Sequence, residues 1–415
     1  MRVLMLVPQA FYSARGTPLS AYHRAQDLAA MGHRVDVLTY PVGAPPPDFE
    51  GQVFRSGGPH FASHISQGPS YRKIWFDLLL LGSLLRRLSR DRYDMLYAHE
   101  EGAFLAALVG PLFRIPIVYD MHSSLPLQIR DWSFSDREWV VGVFRWIERF
   151  ALRRARAVVA ISPGVAEAAR RAVPDLRVVT LLNRFTLGAE ARPEDGRALR
   201  RELGLRDEDR VILYTGSFVP LQALDLLVRA VPFVTARLPA AKFVCVGGNA
   251  EEIQDLSRLS REVGAEADLL LLPMRPQSDM PAFMAACDVL VSPRVRGINP
   301  PGKLFSYLNS GRPVVATNSM VHTQLLDPRC AILTPPDPEG LAGGILTALL
   351  DDARREEVVR GATEILRSEY SDERRQTAYR ELLALLEPAP VSRGRHDRAR
   401  RGRGRGAPHP EKVVH

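Results

Sequence analysis

The stretch Arg296-Gly-Ile-Asn-Pro-Pro-Gly-Lys303-Leu-Phe-Ser-Tyr-Leu-Asn-Ser-Gly311-Arg-Pro-Val-Val-Ala-Thr317 reads as a tight loop, a helix, a glycine stop and a strand. Such a junction suits an anion. Loop amides converge where the helix opening near Lys303 presents its positive end, so a diphosphate placed there gains hydrogen bonds and dipole stabilisation together. Lys303 adds a full charge, and it is one of only four lysines, with Lys73, Lys242 and Lys412, in an otherwise arginine-rich chain. The same residues would also make an ordinary loop entering a core helix, so both readings stand on these residues alone.

Outward from this junction, the strand at 314–317 is the last of five short apolar runs, after 211–216, 242–248, 269–272 and 289–292. They alternate with helical segments such as 224–238, which is the pattern of parallel βαβ units. The first half repeats it, with expected strands at 3–7, 35–40, 95–98, 117–120, 157–161 and 178–182. A polar segment, 187–209, separates the halves. The expected fold class is therefore α/β, two doubly wound Rossmann-like domains facing one cleft, with ligands at the C-terminal ends of the strands. The domains are read as 1–186 and 210–370, followed by a helix at 371–387 that could pack back on the first domain.

The length of 415 residues allows two ordinary cores. The net charge of +8 resembles a nucleic-acid signal, but residues 388–415 hold seven arginines and Lys412 against Asp397 and Glu411, a net +6. The rest is nearly neutral, so no nucleic acid is expected. The tail, with few apolar residues, is expected to be disordered, with contact to anionic lipid or nucleic acid as the alternative. Cys245, Cys287 and Cys330 have neither metal-ligand spacing nor an even count for disulfides, which favours a reducing, cytoplasmic compartment. No signal peptide or spanning segment is evident. The run 74–88 carries Asp77 and ends in Arg86-Arg87; it suits either a core helix or a peripheral helix on a membrane surface.

Taken together these residues resemble the GT-B glycosyltransferases of the retaining family 4 type, and the resemblance extends to about residue 387. Gly16-Thr-Pro-Leu-Ser20 followed by Gly32-His33-Arg-Val35 is similar to the family's glycine loop, helix and strand. Tyr93-Asp-Met-Leu-Tyr-Ala-His99, the strand ending at Ser162, Ala286-Cys-Asp288 and Gly311-Arg-Pro-Val-Val-Ala-Thr317 are similar to further family markers. The resemblance implies a C-terminal domain that holds a nucleotide-diphosphate sugar, a co-substrate rather than a cofactor, and an N-terminal domain that presents a glycan or lipid-linked acceptor. It places Gly16 and Thr17 at the donor phosphates or sugar, His122 beside the reacting sugar, and Met274 and Arg275 at the base. Gly216, Ser217, Gly297, Asn299, Gly302 and Ser306 complete the implied donor site.

Two departures from the family pattern stand out. An arginine and a lysine that commonly bind the donor are replaced by Ser217 and Gln222, and two glutamates by Ile298 and Ser306. The cations left to stabilise the leaving diphosphate are Arg296 and Lys303, which with His122 form the candidate catalytic set; Arg294 stands nearby. No metal is expected, because Asp36, Asp94, Asp120 and Asp288 lack the spacing of a cation loop. The missing charges keep two alternatives open: a catalytically impaired GT-B protein that binds nucleotide or scaffolds a partner, and a GT-B nucleotide-sugar isomerase. The aromatics of 131–146 suit a sugar or a lipid chain, or a core.

Overall fold

A computed structural model describes residues 1–13, 16–58, 71–126, 137–183 and 192–386. The basic tail and the aromatic residues Trp132 and Phe134 lie outside the described residues. Among the described residues, Arg2–Val7 (β1), Arg34–Thr39 (β2), Val53–Arg55 (β3), Met95–His99 (β4), Ile117–Met121 (β5), Ala157–Ala160 (β6) and Val178–Thr180 (β7) form one parallel sheet, ordered β3-β2-β1-β4-β5-β6-β7. Arg210–Thr215 (β8), Ala241–Gly248 (β9), Leu269–Pro273 (β10), Val289–Ser292 (β11), Val314–Thr317 (β12) and Ile332–Thr334 (β13) form the other, ordered β10-β9-β8-β11-β12-β13. In the first, Arg2–Val7 (β1) pairs with both Arg34–Thr39 (β2) and Met95–His99 (β4). In the second, Arg210–Thr215 (β8) pairs with Ala241–Gly248 (β9) and Val289–Ser292 (β11). Central strands such as Val3-Leu-Met-Leu-Val7 are continuously apolar because helices cover both faces of a parallel sheet.

Two strands were not expected from the sequence, Val53–Arg55 (β3) and Ile332–Thr334 (β13). Both are three-residue edge strands, too short to show a periodic pattern. The segment read as interdomain also holds a helix, Pro193–Glu202, whose Leu199 joins the core of the C-terminal sheet. On the first sheet, one face is covered by helices Tyr71–Arg90, Gly102–Phe113, Glu138–Arg154 and Pro163–Ala172. The other face takes helix Gly16–Ala30 and the last helix, Asp372–Ala384, which contributes Tyr379 and Leu382 to that core. Tyr379 donates to Asp27 at 3.1 Å and Arg375 pairs with the same carboxylate at 3.2 Å, tying the end of the described chain to the N-terminal domain.

Strand order reverses on either side of β1 and β4 in one sheet and of β8 and β11 in the other. Loops at those reversals diverge and leave a crevice at the carboxyl ends of the strands. The two crevices face each other across one cavity of about 1350 Å³. No described helix is long and apolar enough to cross a membrane.

Candidate functional site

The C-terminal wall of the cavity is built by the loop between β11 and helix Lys303–Asn309. A buried network fixes that loop from below. Ser292 Oγ lies 2.9 Å from His322 Nε2, and His322 Nδ1 lies 2.9 Å from the Thr317 carbonyl. Thr317 Oγ1 in turn donates to the Arg294 carbonyl. Burial pushes the His322 imidazole down to about 4, so it is neutral and acts as a fixed hydrogen-bonding spacer. The Arg294 side chain folds under the loop and donates to the Arg296 carbonyl at 2.8 Å. Gly297 makes this turn possible: its φ is +103°, and a Cβ there would lie 2.2 Å from an Arg294 terminal nitrogen.

Lys303 stands at the centre of this wall. Its Nζ is buried without a hydrogen-bond partner among the described residues and lies 3.5 Å from the centre of the Tyr214 ring. The aromatic face compensates a buried ammonium in part. Burial, reinforced by nearby Arg294, holds the Lys303 ammonium well below its ordinary pKa, although Cys245 acts in the opposite direction. The helix it begins has only seven residues, Lys303–Asn309, so its dipole is small. This shifts the weight from the helix start that the sequence suggested to the ammonium itself.

The N-terminal wall is organised by paired charge. Asp120, fully buried at the end of Ile117–Met121 (β5), accepts from Arg24 Nε at 3.2 Å and from Tyr97 Oη at 3.0 Å. Burial alone would raise its carboxyl. Arg24 and the adjacent imidazoles of His122 and His99 more than offset this and hold it well below the usual range. Arg24 also donates to the carbonyls of Leu181 and Leu182, so its guanidinium is satisfied. His122 Nε2 stands 3.4 Å from Asp120 Oδ1 and lacks an aligned hydrogen bond. The His122 carbonyl accepts from Asn299 Nδ2 across the cleft, while Asn299 Oδ1 is buried and unpartnered. Among the described residues, Lys303 Nζ and Asn299 Oδ1 are therefore buried polar atoms without a hydrogen-bond partner on residues that line one cavity, an arrangement that calls for a polar ligand.

Of the residues expected from the sequence, Gly16, Thr17, His122, Gly216, Asn299, Gly302, Lys303 and Ser306 line this cavity. Ser217, Met274, Arg275, Arg296 and Gly297 lie outside its lining. Arg275 is engaged with Glu202 at 3.3 Å, and Met274 is exposed. Arg296 is exposed because the loop turns away at Gly297. Gly16 adopts φ +61° at the start of its helix, and no described atom stands within 4 Å of a Cβ built there. Backbone conformation, not crowding, explains the glycine. Ile298, where a carboxylate was sought, packs against the apolar core of the N-terminal domain, and its carbonyl accepts from Gln324.

Glu100 was not anticipated. It lines the cavity and accepts from Ser123 Oγ at 3.3 Å; burial and neighbouring Glu101 raise its carboxyl well above the ordinary value. The structure also gathers His99, Asp120 and His122, whose donor atoms lie within 4.8 Å of one another. Arg24 already neutralises the carboxylate of that group, so a divalent cation would compete with a buried guanidinium. Burial drives the His99 imidazole down to about 3, which fits a structural neutral ring packed edge-on against His122 at 5.7 Å.

Residues 14–183 match the family model described as Glycosyltransferase Family 4, and residues 209–351 match the one described as Glycosyl transferases group 1. The chain is similar to an uncharacterized glycosyltransferase of Methanocaldococcus jannaschii, 22% identical over 363 residues that cover 84% of this chain and 88% of that one. It is also similar to the GDP-mannose-dependent monoacylated alpha-(1-6)-phosphatidylinositol monomannoside mannosyltransferase of Corynebacterium glutamicum. That identity is 28% over 221 residues, 52% of this chain and 54% of the relative. Anabaena HepE, solved in complex with UDP, matches with a TM-score of 0.72 at 20% identity, covering 92% of this chain and 100% of that one. The structural likeness is one of fold: two Rossmann-like domains about a cleft, the GT-B arrangement.

Proposed function

Because the chain belongs to the family 4, group 1 glycosyltransferases, we propose that it moves a sugar from a nucleotide-diphosphate donor to a glycan or lipid-linked acceptor, with retention and without a metal. The observation that carries the site assignment is the buried, unpartnered Lys303 ammonium facing the interdomain cavity. A diphosphate placed there pairs a charge that the protein leaves unpaired, and its charge grows as the sugar departs, so the interaction strengthens toward the transition state. The Gly302 and Lys303 amides and the Ser306 hydroxyl are assigned to the nucleotide portion, with Asn299 and His122 on the sugar. Gly16, Thr17 and Gly216 border the phosphates.

In the proposed step the anomeric carbon–oxygen bond to the diphosphate breaks, and the acceptor oxygen bonds to the same carbon from the same face. The acceptor proton passes to the departing phosphate oxygen. No protein base is required, and Lys303 supplies the charge stabilisation for which a metal is otherwise used. Arg296 reaches the phosphates only if its loop moves, so its assignment is to a closed state of the cleft. A lipid-linked acceptor keeps its head in water and its chain in a bilayer, so the proposal includes a cytoplasmic enzyme in peripheral contact with a membrane surface.

The test is a thermal-shift panel of nucleotide sugars, then nucleotide release with and without a glycan or lipid acceptor fraction in EDTA-treated buffer. Acceptor-dependent release supports the reading. Binding without release under any acceptor, or release only with added Mg²⁺, contradicts transfer or metal independence respectively.

A further inference from the structure

Among the described residues, the helices on one face of the N-terminal sheet have a second face that neither the fold nor the cleft uses. In helix Tyr71–Arg90 the stripe Phe76, Leu80, Leu84 and Leu88 is buried and attaches the helix to the sheet. A different stripe, Ile74, Trp75, Leu78 and Leu85, points outward and is exposed, with Trp75 at 59%. Helix Glu138–Arg154 repeats the arrangement. Val141, Glu148, Ala151 and Leu152 face inward, while Trp139, Val143 and Trp146 recur at helical spacing on the exposed side. Trp139 is 68% and Trp146 60% exposed. Between these two helices lies Gly102–Phe113, in contact with both, and it exposes Leu108 and Leu112. Single exposed apolar residues are ordinary, but large ones aligned on three neighbouring helices are not.

Charge identifies the occupant. Arg86, Arg90, Arg145, Arg149 and Arg153 are exposed on the two longer helices. Their acidic neighbours are mostly engaged: Asp77 accepts from Tyr40, and Glu148 is buried against the Leu125 amide. Tryptophans with arginines flanking them on an amphipathic helix match the interface of an anionic bilayer, where rings sit at headgroup depth and guanidinium groups meet phosphate. A second copy of the chain is a poorer fit, because a two-fold pairing of this face would oppose arginine to arginine.

We infer that the outer face of helices Tyr71–Arg90, Gly102–Phe113 and Glu138–Arg154 docks the protein on an anionic lipid surface, with Trp75, Trp139 and Trp146 inserted at the headgroup level. This deepens the lipid-linked reading of the acceptor, yet vesicle binding is measured without donor or acceptor, so the two fail separately. Three of the four tryptophans in the chain lie on this face, the fourth being Trp132, so indole fluorescence reports mainly on it.

The experiment is cosedimentation of the full chain with vesicles of 30% phosphatidylglycerol in phosphatidylcholine and with phosphatidylcholine alone, with indole quenching by brominated lipid. Expected are binding to the anionic vesicles, weakened by salt, a blue shift and quenching. The combined change Trp75→Ala, Trp139→Ala and Trp146→Ala should weaken partitioning at least tenfold while nucleotide binding and melting temperature stay unchanged. Arg86→Glu with Arg145→Glu and Arg153→Glu, which keeps the tryptophans, should weaken it comparably and only on anionic vesicles. Absence of vesicle binding overturns the inference. So does retention of binding by the tryptophan variant with loss on removing 388–415, which would place the contact in the tail. A dimer dissolved by the tryptophan changes, without vesicle binding, would assign the face to self-association and equally overturn it.

Discussion

Two buried basic side chains lie on opposite walls of one cleft, and they are treated in opposite ways. Arg24 in the N-terminal domain is 1% exposed and its charge is answered by Asp120 and by backbone carbonyls. Lys303 in the C-terminal domain has a buried Nζ with an aromatic face beside it and no hydrogen-bond partner among the described residues. A paired buried charge holds a structure in one arrangement; an unpaired one is tolerated where a ligand completes it. The contrast distinguishes Arg24, a part of the framework, from Lys303, the group proposed to bind, without reference to any relative.

The largest effect is expected from breaking the paired side. Arg24→Met leaves the Asp120 carboxylate buried without its main partner and should cost about 3–5 kcal/mol in chemical denaturation. Adding Asp120→Asn to the same protein should recover part of that loss, because the two residues are coupled. A double variant as unstable as the sum of the singles would break the comparison.

Acid unfolding sharpens it further. Asp120 is depressed in the folded protein, so its contribution to stability is fully present above the unfolded carboxyl value of about 3.9 and is lost as pH falls toward the folded value. The stability curve of the Arg24→Met protein should therefore be flatter on the acid side than that of the parent. Equal slopes would show that Arg24 does not set the Asp120 ionisation.

Tyr379→Phe removes one hydrogen bond, from the last helix to Asp27, and should cost about 1 kcal/mol. A loss several times larger would mean that the helix governs the Arg24 network rather than resting on it. The smallest effect on stability is expected for Lys303→Met, within about 0.5 kcal/mol of the parent, since an apolar residue of similar length replaces an unpartnered ammonium. Strong destabilisation would mean that Lys303 is structural after all.

How much of this could be read from the sequence follows from how far each feature reaches along the chain. Central strands such as β1, β9 and β11 carry continuous apolar runs, because burial on both faces leaves few polar positions; the three-residue edges β3 and β13 carry no such signal. Lys303, His122 and Gly16 drew attention through local motifs and fall in the cavity lining. The Arg24, Asp120 and Tyr97 cluster, and Tyr379 at 352 positions from Asp27, join residues that no local pattern connects. Arg296, Met274 and Arg275 could not be placed from sequence because loop direction decides it. For Arg296 that direction is set by the positive φ of Gly297 and the fold-back of Arg294.

The central claim is that the Lys303 ammonium receives a diphosphate, and calorimetry tests it most directly. Free Lys303 is held well below its ordinary pKa, whereas an anion beside it raises the value, so binding should draw in a proton and affinity should fall as pH rises. Titrating UDP, GDP, ADP and dTDP into the parent and Lys303→Met proteins, in buffers of different ionisation enthalpy, reads both effects. The account predicts proton uptake with at least one nucleotide and a loss of about 1.5–3 kcal/mol, roughly 10- to 150-fold in Kd, in the Lys303→Met protein. Equal affinity in the two proteins, or binding without a protonation signal across pH 6–10, would contradict it.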